Sequence, residues 1–289
     1  MTSRHLPALG AVAAGAVLLA TACTPADEAD PGSGGGAAVE CTPDGLPTLT
    51  EGVLTIGTDS PAYPPWFVDD DPSNGEGFES AVAYAVALEL GYSAEDVTWT
   101  TVAFNSAIQP GPKEFDFDIN QFSITEERAR AVDFSSPYYD VRQVVVALAG
   151  SEAAEAESTD DLAGLAIGAQ VGTTSYDTLV EAVDPRTEPL VYNNNDDAKQ
   201  ALENGQVDAV VFDLPTAFYI TSAELEDAVI VGQLPRTEEA AEQFGLVLDL
   251  DSPLTDCVSG ALDSLRERGV LAELEQEWLA EAADAPELA

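Results

Sequence analysis

Short β-branched runs alternate with helix-patterned stretches along most of the chain, and this alternation restricts the fold more than any other feature. The first run, residues 53–58 (VLTIGT), leads through a proline-stiffened loop to residues 78–90 (FESAVAYAVALEL). That second stretch is apolar nearly all round and is followed by Gly91, so it reads as a helix packed on a sheet with a glycine stop. Residues 97–102, 117–122, 141–148, 165–170, 189–192, 207–212 and 245–250 read as further strands. Helices are expected at 104–108, where Pro110 and Pro112 cut the element short, from Glu126, from Gly172 to about 183, at 196–204, after Pro215, and at 251–268 and 270–280. Such alternation specifies an α/β fold of parallel sheets, with ligands at the carboxyl ends of the strands.

Charge narrows the partners. Ten Lys and Arg against 53 Asp and Glu give a net charge of −43 (10 − 53). That balance repels phosphate backbones and anionic headgroups, and so argues against nucleic acid and against electrostatic docking on lipid. It fits a body outside the cytoplasm, or one adapted to salt. The 289 residues suffice for one large domain or for two lobes with separate cores. The single histidine, His5, lies in the leading segment, which leaves hydrolytic triads and histidine metal sites without support. No cofactor and no metal are expected.

Residues 1–22 read as an export signal. Arg4 precedes the apolar run 6–22, which falls short of the ~20 residues that a membrane span needs. The run ends Leu19-Ala20-Thr21-Ala22-Cys23, which resembles the lipobox of bacterial lipoproteins, with Ala20 where Leu is commoner. The resemblance implies that Cys23 is lipidated and holds the chain on the extracytoplasmic face of the cell membrane; an ordinary cleaved signal peptide is the alternative. Residues 24–38 (TPADEADPGSGGGAA) have the composition of a flexible tether, and the anchor and tether together take up 23–45. Cys41 and Cys257 then remain, and an oxidising setting favours a bridge between them over two separate buried thiols.

The stretch 116–139 (DFDINQFSITEERARAVDFSSPYY) carries the strongest ligand signal. Thr125 suits an N-cap, and Glu126 and Glu127 suit the positive end of a helix. Arg128 does not, because a cation in the first turn opposes the helix dipole and needs an anion nearby. A surface pair with Glu127 or Asp133 is one answer, and the carboxylate of a small ligand is the other. Only nine cations (the ten less Arg4) serve the exported chain against its 53 acids, which favours the ligand. Three further loops leave strand ends with matching chemistry. Asp59, Tyr63 and Trp66 offer aromatic walls, Gly172, Thr173 and Thr174 offer donors at a helix start, and Asp213 offers a carboxylate. Each has a plainer reading as core or as a helix cap; with Arg128 they compose a receptor for a zwitterion.

Five blocks stand in a telling order. They are Gly-Thr-Asp (57–59) with Tyr-Pro-Pro (63–65), Gly-Phe-Glu (77–79), Ser-Ile-Thr-Glu-Glu-Arg (123–128) with Asp-Phe-Ser-Ser-Pro-Tyr-Tyr (133–139), Gly-Thr-Thr (172–174), and Asp-Ala-Val-Val-Phe-Asp-Leu-Pro (208–215). This order resembles the polar amino-acid solute-binding proteins of ABC importers over about 48–279. The resemblance implies a two-lobed type II periplasmic-binding-protein fold, with 46–140 plus 246–289 in one lobe, 141–245 in the other, and a hinge of two crossing segments. It implies that Arg128 binds a ligand carboxylate, helped by Ser123 and by Thr173 in the Gly172 turn. Asp213 would take the α-ammonium near Ser123 and Gln121. Tyr63, Phe104 and Trp66 would enclose the side chain, with Asp59 near its polar tip. The implied partners are an amino acid or derivative and an ABC permease, met as a monomer. Asn120-Gln121-Phe122 stands where small residues are usual, which makes the pocket floor polar and argues for a polar or charged guest. A dehydratase-like enzyme and a sensor working with a separate signalling chain are the rival readings on this fold.

Overall fold

The computed structural model describes residues 40–236, 241–279 and 285–289; the export signal, Cys23 and the tether up to residue 39 lie outside the described residues. In chain order the strands are β1 (Leu54–Thr58), β2 (Val97–Thr101), β3 (Phe117–Asp118), β4 (Asp133–Phe134), β5 (Tyr139–Asp140), β6 (Gln143–Leu148), β7 (Ile167–Gln170), β8 (Leu190–Tyr192), β9 (Ala209–Asp213), β10 (Ala228–Gln233), β11 (Gln243–Phe244) and β12 (Val247–Leu248). The α-helices are α1 (Phe78–Glu89), α2 (Phe104–Ala107), α3 (Thr159–Leu162), α4 (Thr174–Val183), α5 (Asn195–Glu203), α6 (Leu214–Tyr219), α7 (Thr255–Glu267) and α8 (Val270–Trp278).

Two five-stranded sheets form, in the orders β2-β1-β3-β12-β4 and β10-β6-β9-β7-β8. Both are mixed, whereas the alternation predicts parallel sheets. β1 runs parallel to β2 and β3, but β12 is antiparallel to β3 and β4. In the second sheet β7 is parallel to β8 and β9, while β6 and β10 run against their neighbours. The reversed strands include β6 and β12, which the chain enters directly from a crossing segment without a helical crossover to restore direction. β10, an edge strand, is not among the expected strands.

The segments that cross between the sheets pair with each other as β5 and β11, with Tyr139 opposite Phe244 and Asp140 opposite Gln243. Trp66 lies beneath this pair, fully buried, edge-on to Phe78, Tyr139 and Phe244 at centroid distances of 5.5–6.0 Å for the cluster. Its indole N–H donates to Thr216 Oγ1 of α6 at 2.9 Å, a bond from the first lobe to the second. Trp66 is therefore core and strut, not an aromatic wall of the site. The apolar face of α1 is covered by α7 and α8, which explains a helix that is apolar nearly all round. Cys41 and Cys257 are bonded, their Cα atoms 5.4 Å apart, tying the start of the body to α7. The last five residues leave the first lobe: Glu287 bridges to Gln233 on β10, and Leu288 is buried in the core of the second sheet. These contacts set Leu288 on the second sheet, whereas the expectation gave 246–289 to the first lobe.

Candidate functional site

The stretch read as a strand over 117–122 stops pairing after Asp118, and the physical reason is Gln121. Its φ is +48°, which no sheet accommodates. Buried Glu79 holds it there, accepting the Gln121 N–H at 2.7 Å and the Gln121 side-chain amide at its second oxygen. The Tyr138 hydroxyl donates to the same carboxylate. Burial pushes Glu79 up to about 7, with the Tyr138 and Gln121 bonds opposing it. Glu79 stands in the Gly-Phe-Glu block but drew no role from the sequence; an acid on an otherwise apolar helix is the signal that marks it.

The helix expected from Glu126 is a single 3₁₀ turn, Arg128–Arg130, with Glu127 and not Thr125 at its N-cap; Thr125 Oγ1 still accepts the Arg128 N–H at 3.2 Å. Arg128 is only 9% exposed. Its Nη1 donates to the Ser123 carbonyl at 2.7 Å, its Nη2 to the Gly172 carbonyl at 3.0 Å, and the guanidinium lies 5.5 Å from the Phe104 ring centre. Neither Glu127 nor Asp133 forms an ion pair with it among the described residues. Burial pulls its pKa down, and Glu242, Asp177, Asp213 and Glu127 act against that.

A cavity of about 180 Å³ opens between the lobes at the carboxyl ends of β1, β7 and β9. Arg128, Asp59, Tyr63, Phe104, Asn120 and Gln121 line it from the first lobe, and Thr173, Gln170, Ser175, Asn193–Asn195 and Asp213 from the second. Nine of the residues singled out from sequence thus meet at one cavity: Arg128, Asp213, Asn120, Gln121, Thr173, Thr174, Tyr63, Asp59 and Phe104. Ser123, Gly172 and Trp66 do not line it. Ser123 is buried behind Arg128, its hydroxyl 3.0 Å from Thr174 Oγ1. Gly172 contributes its carbonyl alone. Its φ of +76° is the left-handed backbone that favours glycine, and a Cβ there would lie 2.3 Å from Asn105 Oδ1 of the opposite lobe, so that side chain would have to turn aside. The asparagine run 193–195 escaped the sequence reading because Asn194 doubles as the cap of α5, accepting the Asp197 N–H at 2.8 Å.

Asp213 stands at the head of α6 but makes no capping bond. Its Oδ1 accepts from Gln143 Nε2 at 2.7 Å. The residue is half-buried overall, yet protein surrounds its carboxylate, and that burial together with the negative charge of Glu242 pushes it up to about 8. Asp59 is held by two backbone amides, accepting from Ser60 at 2.7 Å and from Phe104 at 3.0 Å. Burial and the charge of Asp196, on α5 of the other lobe, raise the Tyr63 hydroxyl, so it remains a neutral donor. Among the described residues, Arg128 is the one cation on a wall that also carries Asp59 and Asp213.

Comparison with known proteins gives the family. The family model for bacterial extracellular solute-binding proteins, family 3, matches residues 54–281. The L-cystine-binding protein TcyJ of Escherichia coli (strain K12) is 27% identical over 233 residues, covering 78% of this chain and 82% of that protein. The L-arginine-binding protein of Pseudomonas aeruginosa is 27% identical over 241 residues, covering 81% and 90%. An ancestral arginine-binding protein solved with arginine superposes with a TM-score of 0.65 at 30% identity, covering 78% of this chain and 97% of that one. The ancestral amino acid-binding protein AncCDT-1, described as a precursor of cyclohexadienyl dehydratase, gives 0.62 at 28% identity, covering 78% and 94%. The two-lobed type II periplasmic-binding fold is therefore the fold of this chain. With 54–281 matched, well over half its length, the chain belongs to the bacterial extracellular solute-binding proteins of family 3.

Proposed function

We propose that the protein captures an amino acid with a polar or charged side chain between its lobes and delivers it to an ABC import permease. The body would hang by its tether from a lipidated Cys23 on the extracytoplasmic face of the membrane, acting as a monomer. The observation that carries the reading is the placing of Arg128 and Asp213 on opposite lobes of one cavity. Arg128 would take the guest's carboxylate and Asp213 its ammonium, so a bound zwitterion touches both lobes and favours the closed state over the open one. Tyr63 and Phe104 would flank the side chain, with Asp59 and the asparagines at its tip. Thr173 adds a hydroxyl at the head of α4, and Gln121 sits at the floor. Ser123 and Gly172 support the site through the carbonyls that orient Arg128, and Trp66 through its strut. The relatives named above are described as binding cystine and arginine, which suits a guest with side-chain donors.

Asp213 gives the reading a proton signature. Without a guest it keeps its proton up to about pH 8, against about 3.9 for an unfolded aspartate. Its contribution to stability is therefore complete below about pH 4 and is lost as pH rises through about 8. A guest ammonium favours the ionised form, so binding at pH 7 is expected to release about one proton, and binding at pH 9 almost none. Calorimetry with L-arginine, L-glutamine and L-cystine in buffers of different ionisation heat measures this directly. Binding at pH 7 with the same heat in every buffer would count against Asp213 as the ammonium site.

One observation favours a second reading, acid–base chemistry on the bound guest: Asp213 is a cavity carboxyl that stays protonated near neutral pH. It ranks second because the same shift is needed by a site that waits for an ammonium. Conversion of a cyclic dienyl acid by the purified protein would reverse that order.

A further inference from the structure

Glu242 lies on the second crossing segment, immediately before β11, and does not line the cavity. Its carboxylate accepts the Ser123 hydroxyl at 2.6 Å and Gln143 Nε2 at 3.2 and 3.3 Å. Its backbone carbonyl takes the Val141 N–H of the other crossing segment at 3.0 Å. Each partner leads to one charged pole of the cavity. Ser123 supplies the carbonyl against which Arg128 Nη1 rests. Gln143 opens β6, and the Nε2 that meets Glu242 also donates to Asp213. The orientation of that amide is set from behind, because the Ser175 hydroxyl donates to Gln143 Oε1 at 2.7 Å and leaves Nε2 facing the two carboxylates.

We propose that Glu242 is a positioning residue, a hinge carboxylate that holds Gln143 against Asp213 and Ser123 against Arg128, so that both poles are set by the state of the hinge. This rests on the reading of Arg128 and Asp213 as the ligand poles. The electrostatics agree. Asp213 faces Glu242, Glu79 and Arg128, with the hydroxyls of Tyr138 and Tyr139 nearby, and after burial Glu242 is the strongest influence holding it protonated. Glu242 also faces Arg128 and Asp177, and is the foremost counter-charge to the guanidinium. A guest carboxylate at Arg128 and a guest ammonium at Asp213 would then complete a balance that Glu242 holds in the empty site.

The test is a carbon-detected titration of the side-chain carboxyls of the full chain, with the Asp213 signal identified by its absence in Asp213→Asn. Glu242→Gln keeps the size and an acceptor oxygen but removes the charge, and is expected to lower the Asp213 midpoint by roughly one pH unit. An unchanged midpoint overturns the proposal. Should the variant fail to fold by circular dichroism, Glu242→Asp decides: it keeps the charge but withdraws the carboxylate from Gln143 and Ser123, and an Asp213 midpoint equal to that of the wild type overturns the proposal. In calorimetry with L-arginine, L-glutamine and L-cystine from pH 5 to 9, the acid limb of binding should move down with Asp213 in the variant. Wild-type protein that binds none of the three counts against the amino-acid reading, while the carboxyl titration still judges Glu242.

Discussion

Arg128→Ala is expected to abolish binding of an amino acid while leaving both lobes folded. The guanidinium uses two of its donors on the Ser123 and Gly172 carbonyls and sits against the Phe104 ring, so the protein orients it without neutralising it by direct pairing among the described residues. A carboxylate arriving there would meet a fork already aimed and largely dry, the setting in which such pairs are strongest. Truncating one partner of a buried, hydrogen-bonded charge pair costs about 2–5 kcal/mol. That corresponds to a loss of about 30-fold to several thousand-fold in affinity. Arg128→Lys should fall between, since it keeps the charge but not the planar fork. Calorimetry on the three amino acids named above decides the matter; an unchanged Kd for Arg128→Ala would remove the basis of the functional reading. The carbonyls of Ser123 and Gly172 lose a donor in this variant, so a modest fall in Tm is expected alongside.

Opening the Cys41–Cys257 bridge should do the reverse, lowering stability while sparing affinity. The bridge spans 216 residues of sequence. Chain entropy then assigns it about 5 kcal/mol, because the unfolded chain without it has far more freedom to lose. Cys257 is on the buried face of α7 in the first-lobe core, and neither cysteine lines the cavity. The double variant Cys41→Ser, Cys257→Ser is therefore expected to unfold at markedly lower urea, with the Kd for the guest unchanged. Equal urea midpoints for the two proteins would show that the bridge adds little to a body already held by its core. The pair of experiments separates the residues that make the fold from those that make the site.

Much of the site was legible because its chemistry is carried by short, local sequence. Arg128 was marked by being a cation where a helix start wants an anion, and that conflict is a property of neighbouring residues. Gly172, Thr173 and Asp213 were marked by standing between a strand and a helix. What escaped were groups whose meaning depends on distant contacts. Trp66 and Tyr63 look alike in an aromatic loop, and only packing sends one indole to Thr216 of the other lobe and leaves the phenol at the cavity. Glu79 appears as an acid on an apolar helix until Gln121, 42 positions away, is seen bending to meet it. Gln143 and Glu242 are ordinary polar residues until the crossing segments bring them together.

By itself the sequence determined the α/β class, the pairing of Cys41 with Cys257 as the favoured outcome, and the residue types at the strand ends, because these follow from periodicity, composition and local backbone chemistry. Only the tertiary structure decided the direction of the strands beside the hinge, the return of the tail to the second lobe, and which polar groups share one cavity. Those depend on contacts between residues far apart in sequence, whose energies no local pattern records.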